Sequence, residues 1–261
     1  SAEFWPGGAT IRNLQNELAS ETKIWTQGLA QVQEVTLTNK SSRPRSLRVT
    51  SFSDVALHSA RAYWAHPAYQ KLSIETRRDA GTGALLAERR GHAPGESWPA
   101  AFYLTDGAEA GYETSRERFL GKGGYASPDS LTGGSLTGLT GAVIEPAAAL
   151  QRAVALEPGQ TVTVRFVAGL AENGPQALEE ALRLKSFGPR EWTRARARAR
   201  REALEEIRAS GISLRRHQEL EAVRSQLLFP RPRPSGASKT LAELVPGARR
   251  DAPAIVYRLG S

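Results

Sequence analysis

Cysteine and methionine are both absent from the 261 residues of this sequence. Without cysteine, disulfide bridges and thiolate metal sites are excluded, so the folded chain must be stabilised by packing. Long apolar runs are also absent, and no segment reaches the roughly 18 apolar residues that a membrane-spanning helix needs. The first residues lack the basic and then apolar pattern of a secretory signal peptide. We therefore expect no membrane contact by this segment, and because the chain begins at Ser1 we interpret it as a fragment.

The common catalytic and metal-binding motifs are missing as well. The stretch GKGG at 121–124 lacks the hydroxyl residue that follows lysine in a phosphate-binding loop. No G-x-S-x-G nucleophile motif occurs, and the four histidines are too far apart for a zinc-binding spacing. We predict no catalytic residue, no metal site and no cofactor. The sequence leaves open whether two carboxylates form a glycosidase-like pair; the candidates are Glu75, Asp79, Asp106, Glu113, Glu117 and Asp129.

Positive charge is in excess, with a formal net charge of +8 and an isoelectric point near 10.1. The most basic segment alternates arginine and alanine at 192–208. In a helix, steps of two residues turn by about 200°, so these arginines divide between two opposed sides. Nucleic-acid readers interleave basic residues with base-stacking aromatics, which are missing here. We interpret the segment as the solvated face of a helix, with a packing seam formed by Trp192, Ala195, Ala199, Ala203 and Ile207.

Short segments with alternating apolar residues dominate from 24 to 169, and turn residues separate them. The segments VQEVTLTN (32–39) and SLRVTSF (46–52) predict a hairpin. Many short strands without helices between them favour a large antiparallel β-sandwich, so the fold class is mainly β. The further predicted strands are 69–76, 84–90, 100–105, 141–146, 148–156 and 161–170.

The periodicity changes to that of helices after residue 171. Gly174 and Pro175 suit a helix start, a second helix is predicted from Arg190 to Ala209, and a third begins after Ser213 as N-cap. Proline, glycine and serine follow Phe229 in a composition typical of a linker. We predict a sandwich at 1–170, a helical linker at 171–230 and a flexible linker at 231–261.

One aromatic segment, YWAHPAYQKL at 63–72, is a candidate binding loop. It places His66 beside Tyr63, Trp64 and Tyr69, and Lys71 follows. Sugars stack on aromatic rings, which makes this a candidate carbohydrate site, and a packed loop anchor is the alternative.

Several segments taken together resemble a known family. They match in order and spacing, and they lie at 35–57, 65–76, 84–90, 113–124, 136–178 and 211–230. They resemble the N-terminal part of the glycoside phosphorylases of glycoside hydrolase family 94, which includes cellobiose and chitobiose phosphorylases. The resemblance is strongest to the C-terminal phosphorylase-like module of cyclic β-1,2-glucan synthases.

The resemblance implies a galactose-mutarotase-like supersandwich, linker helices and then a catalytic (α/α)6 barrel that would begin within 231–261. In that family a barrel aspartate acts as general acid while inorganic phosphate attacks the anomeric carbon, so phosphate is a co-substrate of the parent enzyme. The expected function is a noncatalytic support domain of a phosphorylase or glycosyltransferase acting on β-glucans. The implied partners are the barrel, a β-glucan oligosaccharide and a second copy in a homodimer. The implied location is cytoplasmic, tethered at the inner membrane if the parent is the membrane synthase.

A second segment, RERFLGKGG at 116–124, becomes a candidate contact with the missing barrel or a sugar through this resemblance. Its candidate residues are Arg116, Arg118, Phe119 and Lys122. We expect Phe119 to be buried and the three glycines to supply unusual backbone angles. Two alternatives to a support domain stay open: a freestanding carbohydrate-binding sandwich that uses Tyr63, Trp64 and Tyr69, and a basic nucleic-acid-binding protein.

Overall fold

Strands account for about half of the residues as far as Ala171. The computed structural model describes residues 1–91, 95–133 and 135–228. Eleven strands in this part form two antiparallel sheets, which confirms the predicted β-sandwich. The larger sheet has the order β1-β2-β3-β4-β11-β8-β7-β6. Its strands are β1 (Ala2–Trp5), β2 (Gly8–Gln15), β3 (Leu18–Gln27), β4 (Ala30–Asn39), β6 (Ile74–Arg78), β7 (Leu85–Arg89), β8 (Ala100–Thr105) and β11 (Thr161–Ala171).

The smaller sheet has three strands in the order β5-β10-β9, namely β5 (Arg45–Asp54), β9 (Gly111–Ser115) and β10 (Pro146–Leu156). Apolar residues at alternate positions of both sheets meet in a shared core. Because successive side chains of a strand point to opposite faces, this core accounts for the period of two in the sequence. Its buried members include Leu85, Ala101, Leu150, Leu156, Val164 and Phe166.

The predicted hairpin between 32–39 and 46–52 is wrong, because β4 and β5 lie in different sheets. The connection is fixed by Asn39, which is fully buried. Its side-chain amide donates to the Arg43 carbonyl at 2.8 Å and to the Leu156 carbonyl at 3.1 Å. Its side-chain oxygen accepts hydrogen bonds from the amide and hydroxyl of Ser41. A hairpin within one sheet and a placement in two facing sheets both bury the apolar face of each strand. The alternation of residues therefore could not distinguish the two arrangements.

The expectation of no helices between the strands is also wrong. Two short helices, α1 (Ala60–Ala65) and α2 (Pro67–Lys71), connect β5 to β6, so the predicted strand at 69–76 begins only at Ile74. Two more, α3 (Arg116–Leu120) and α4 (Asp129–Thr132), lie between β9 and β10 with a 3-10 turn at Gly121–Ala126. The predicted strand at 141–146 is reduced to an isolated bridge between Gly141 and Thr76. Helices this short are specified by caps and not by periodicity, as with Ser115, whose hydroxyl accepts from the Arg118 amide.

Three longer helices follow β11: α5 (Gly174–Lys185), α6 (Pro189–Ala209) and α7 (Leu214–Leu228). Asn173 caps α5 by accepting from the Gln176 amide at 3.0 Å. Helix α5 and the part of α6 up to Arg201 cover the second face of the larger sheet. The core between them includes Trp25, Leu86, Phe102, Ala177, Ala181, Leu184, Trp192 and Ala199.

The packing seam predicted on α6 is confirmed for Trp192, Ala195 and Ala199, which are all buried. Residues from Glu202 onward belong to a second compact unit. Within that unit, Ser213 caps α7 as predicted, because its hydroxyl accepts from the Arg216 amide at 3.2 Å. The predicted linker at 231–261 lies outside the described residues, and the boundaries at 170 and 230 stay predictions. No helix in the described ranges is both long and apolar enough to cross a membrane.

A buried ionic network holds α6 on the larger sheet. Arg165 on β11 forms ion pairs with Glu34 at 2.7 Å and with Asp106 at 3.1 Å. Arg196 on α6 forms an ion pair with the other oxygen of Glu34. The Arg196 guanidinium also lies 5.6 Å from the centre of the Trp25 ring. We call Glu34, Asp106, Arg165 and Arg196 the outer-face network.

Candidate functional site

The two candidate segments lie at the same end of the sandwich. Strand β5 ends at Asp54, which pairs with Ala147 at the start of β10. Strand β9 ends at Ser115, which pairs with Pro146 on the other side of β10. Because α1 and α2 follow β5 and α3 follows β9, both helical connections leave the smaller sheet at one end. The nearest ends of the segments at 63–72 and 116–124 are residues 72 and 116, which are 44 positions apart in the sequence. Only the strand order shows that both segments lie at the same end of the sandwich.

Arg116 ties the second segment to the end of β5. Its guanidinium forms ion pairs with Glu145 at 2.7 Å and with Asp54 at 3.3 Å. Its Nε also donates to the Tyr125 hydroxyl at 3.0 Å, and that hydroxyl donates to Asp54 at 2.6 Å. The hydrogen bonds to Tyr125 and then to Glu145 raise the pKa of Arg116. Arg116 is therefore a charged anchor of the loop, with its Nε and Nη1 donors engaged by Tyr125, Asp54 and Glu145.

The rest of the second segment is held by packing and by one carboxylate. Phe119 is 2% exposed and stacks on Phe52 at 4.4 Å between ring centres. Asp129 accepts hydrogen bonds from the amides of Lys122 at 3.0 Å and Gly123 at 3.1 Å. The side chains of Arg118 and Lys122 are exposed. The segment thus presents two cations on a rigid turn.

The burial expected for Phe119 is confirmed, and the expectation for the glycines holds in part. Gly121 and Gly124 have positive φ values of 54° and 60°. Gly123 does not have a positive φ value, and its amide is the group that contacts Asp129. Beside this turn lies an open depression of about 400 Å³, for which the sequence indicated Arg118 and Asp129 separately but not their common location. It is lined by Arg118, Asp129, Ser130, Thr132, Gly133 and Ser135.

The first segment is divided between the interior and the surface. Lys71 is 5% exposed, and its ammonium lies 5.8 Å from the centre of the Tyr63 ring. Tyr69 is 69% exposed and His66, between α1 and α2, is exposed as well. The Trp64 side chain lies outside the described residues. Sequence reasoning grouped these residues, whereas the fold turns Lys71 inward and Tyr69 outward.

Most of the candidate carboxylates are engaged in holding the fold. Glu113 is 1% exposed and accepts from the amides of Thr114 and Ser115, both at 2.9 Å, and from the Thr137 hydroxyl at 2.5 Å. Asp79 accepts from the hydroxyl and amide of Thr82, which lowers the pKa of Asp79.

Two further candidates are engaged in the same way. Asp106 belongs to the outer-face network and Asp129 holds the glycine turn. Of the six candidates only Glu75 and Glu117 are exposed with neither an ion pair nor a side-chain hydrogen bond recorded in the described part of the chain. Within the described ranges, no cluster of three or more histidine, aspartate or glutamate side chains is arranged to hold a metal ion.

Sequence reasoning missed a second group of polar residues next to α2. The Arg89 guanidinium lies 4.4 Å from the centre of the Trp98 ring and donates to the Gln70 side-chain oxygen at 3.2 Å. The His58 ring lies 5.7 Å from the same tryptophan ring. These residues come from separate segments of the chain, so no local motif could have indicated that they meet.

With this geometry established, comparisons with known proteins identify the domain. A family model described as the supersandwich domain of glycosyl hydrolase 94 matches residues 1–186. The chain belongs to this family. The match includes the first 31 residues, which precede the segments that carried the resemblance and in which the structure has β1, β2 and β3.

Two curated relatives of the GH94 chain match with comparable identity. Cyclic beta-(1,2)-glucan synthase NdvB of Rhizobium meliloti (strain 1021) is 32% identical over 163 residues, which is 61% of this chain. Solabiose phosphorylase of Paenibacillus borealis is 29% identical over 185 residues, or 70% of this chain. The matched regions span only 6% and 22% of the lengths of these two relatives.

A solved structure gives independent support for the fold alone. The crystal structure of a bacterial glucoamylase complexed with acarbose superposes with a TM-score of 0.52 at 10% sequence identity. The superposition covers 79% of this chain and 28% of that one. At such low identity the agreement extends to the arrangement of strands and not to any site.

Proposed function

We propose that this GH94 chain is a noncatalytic sandwich and linker of a phosphorylase or glycosyltransferase that acts on β-glucans. Its role would be to support a catalytic (α/α)6 barrel, shape the barrel's cleft and contribute to a homodimer. The family membership carries this proposal, since the matched relatives are a phosphorylase and a glucan synthase much longer than the matched region. The name of the glucan synthase supports a β-glucan as substrate class, and inorganic phosphate would be the co-substrate of a parent phosphorylase.

The shared end of the sandwich is the best candidate for the contact with the barrel. Three large side chains with apolar surface are exposed there: Tyr69 is 69% exposed, Leu72 52% and Tyr125 58%. Exposed apolar side chains at one end of a domain are typical of surfaces that another domain covers. The ionic anchor at Arg116 keeps the second segment rigid, as a supporting contact requires. The engaged carboxylates Glu113 and Asp129 fit the same structural role.

The first test separates support from catalysis. The purified chain is incubated with inorganic phosphate and with β-1,2- or β-1,4-linked gluco-oligosaccharides, and sugar phosphate release is measured. We expect none, and turnover by the chain alone would overturn the noncatalytic assignment.

The second test addresses the contact surface in the protein that contains both this chain and the barrel. The double variant Tyr69→Ala, Leu72→Ala should lower the midpoint of thermal inactivation, because exposed apolar contacts are lost. The matched control is Leu14→Ala on β2, which is 67% exposed and lies in another part of the larger sheet. Equal effects of both changes would contradict a contact at the shared end.

One alternative has a specific observation in its favour. The exposed ring of Tyr69 could stack on a sugar, as in a freestanding carbohydrate-binding sandwich. Isothermal titration of the chain with both glucan types distinguishes the two, because a support domain should show no binding. Binding that Tyr69→Ala abolishes would favour the alternative. Nucleic-acid binding has weaker support, since Arg196 of the arginine run is turned inward to Glu34.

A further inference from the structure

A depression of about 370 Å³ lies between one end of the larger sheet and helix α5. We call it the α5 groove. The Leu170 amide donates to the Leu29 carbonyl at 3.1 Å, which places these two residues side by side. Leu29 is 75% exposed and Leu170 is 47% exposed, so one wall of the groove presents large apolar side chains to solvent. This wall comes from the β3–β4 connection, β8 and the end of β11, and it consists of Leu29, Ala30, Phe102, Leu170 and Ala171.

The opposite wall of the α5 groove is acidic. It carries Glu172, Gln176, Glu179, Glu180 and Arg183. Arg183 is already neutralised, because its Nε donates to Glu180 at 2.7 Å, and this contact raises the pKa of Arg183. Glu172 and Glu179 are exposed, and neither forms an ion pair with another described residue. Three carboxylates against one guanidinium leave an excess of two negative charges, although the whole chain has a formal net charge of +8.

The fold accounts for only part of this arrangement. Glu172 precedes the N-cap Asn173, where the helix dipole favours a negative charge. Glu179 lies in the middle of α5, where the dipole offers no such advantage. Exposed leucines that stand alone are common on protein surfaces, whereas apolar patches with a polar rim mark interaction sites. Two exposed leucines and an unpaired carboxylate border the same depression here, and this combination indicates a partner.

We propose that the α5 groove binds a segment of a partner protein in which arginine or lysine residues flank a large apolar side chain. The apolar side chain would lie against Leu29 and Leu170, and the cations would lie beside Glu172 and Glu179. Charge complementarity would therefore select the partner. The volume of about 370 Å³ is at the lower end of the roughly 300–1,000 Å³ found for ligand sites, so a short segment suits the groove. The site goes beyond the proposed function and does not depend on it.

Selection from a peptide library measures the chemistry of the partner directly. A display library of short random peptides is selected on the full chain at low ionic strength, where charge contributes most. We expect enrichment of peptides that combine arginine or lysine with leucine, isoleucine or phenylalanine. The positive net charge of the chain would by itself enrich acidic peptides instead. Enrichment of acidic peptides alone, or of none, would overturn the proposal.

A first pair of variants tests whether the selected peptides contact the apolar wall. Leu29→Ser should weaken binding of the best peptide by about tenfold, because the buried apolar contact is lost. Leu14→Ser on β2 is the matched control, since Leu14 is 67% exposed and does not line the groove, and it should leave the affinity unchanged. Thermal unfolding shows whether both variants keep a cooperative transition. Wild-type affinity in Leu29→Ser would show that the peptide binds elsewhere and would overturn the proposal.

A second pair of variants tests the acidic wall. Glu179→Gln should weaken binding by about threefold at low salt, and the loss should disappear at high salt because exposed charges are screened. Glu75→Gln on β6 removes an exposed carboxylate outside the groove and should have no effect at either salt concentration. Equal effects of the two changes would mean that the peptide responds to net charge alone, and charge selection by the groove would be refuted.

The oligomeric state of the chain without peptide tests a different occupant, a second copy of the same chain. Sedimentation of the wild-type chain and of Leu29→Ser should give the same distribution of species, because the groove is expected to accept a different protein. Self-association that Leu29→Ser abolishes would identify the second copy as the occupant and would overturn the proposal of a separate partner.

Discussion

On the outer face of the larger sheet, Arg165 and Arg196 both reach the carboxylate of Glu34, whereas beside α2 neither Lys71 nor Arg89 forms an ion pair with a carboxylate of the described residues. Both regions contain buried indole N–H groups without partners, at Trp25 and Trp192 in one and at Trp98 in the other. An unpartnered indole therefore does not distinguish a binding site from a packed core. What differs is whether the neighbouring cations are neutralised by groups of the same chain.

The two regions should respond oppositely to removal of a charge. In the outer-face network each charged group already has its partner, so deleting one leaves others buried and unpaired. Beside α2 the buried cation of Lys71 has no ion pair among the described residues, and removing it relieves an existing cost.

Glu34→Gln should lower the free energy of unfolding by about 3 kcal/mol, because it leaves Arg165 and Arg196 without the carboxylate that pairs them. Urea denaturation followed by tryptophan fluorescence measures the change. The matched control is Glu21→Gln, whose carboxylate pairs with Arg12 at 2.7 Å and Lys23 at 2.7 Å on a partly exposed surface. Glu21→Gln should lower the free energy of unfolding by less than about 1 kcal/mol. Similar losses in the two variants would contradict the buried character of the network.

Gly121→Ala should lower the free energy of unfolding by about 2 kcal/mol. Gly121 has a φ of 54°, and an added methyl group would collide with the Asp129 carboxylate that holds the Lys122 and Gly123 amides. Gly124→Ala is the control in the same turn, because its φ is 60° but an added methyl group meets nothing within 4 Å. The difference between the two thermal unfolding midpoints isolates the contribution of Asp129. If Gly124→Ala is equally destabilising, backbone strain alone explains the effect.

The sequence predicted those strands whose apolar residues face a core. Strand β11 alternates apolar and polar residues at its start because Val164 and Phe166 face the core between the sheets, whereas β7 and β8 are apolar at most positions because both of their faces meet a core. The pairing of β5 was mispredicted because the alternation specifies which face is buried but not which neighbour supplies the hydrogen bonds. Helices α1 to α4 were missed because four to six residues are too few to establish a helical period.

The candidate sites were predicted less completely, because they too depend on which segments of the chain meet in the fold. The turn at Gly121 and Gly124 was indicated because glycine marks positive φ angles locally. The division of Lys71 from Tyr69 depends on α2 being a helix, which the pattern of residues around Pro67 did not indicate. Arg89 contacts Gln70 and Trp98, which come from other segments of the chain, so this group could be recognised only from the structure.

Lys71→Met should raise the free energy of unfolding by about 1 kcal/mol, because it removes a buried charge without a carboxylate partner among the described residues. The methionine side chain can keep its contact with the Tyr63 ring. Urea denaturation in a chloride buffer gives the change, with Lys122→Met as the exposed control. A loss of stability of similar size would show that Lys71 is already satisfied within the chain, and the contrast with the outer-face network would fail.

The smallest effect is expected within the arginine run, where the same residue type occupies both kinds of environment. Arg198 is exposed on α6, and Arg198→Gln should change the free energy of unfolding by less than about 0.5 kcal/mol. Arg196→Gln is the paired comparison. It should lower the free energy of unfolding by about 1 kcal/mol or more, because it leaves part of the buried Glu34 carboxylate unpaired. Urea denaturation at low and at high salt should show the Arg196 effect persisting, since buried pairs are screened weakly. Equal and salt-sensitive effects at the two positions would mean that both arginines act as surface charges.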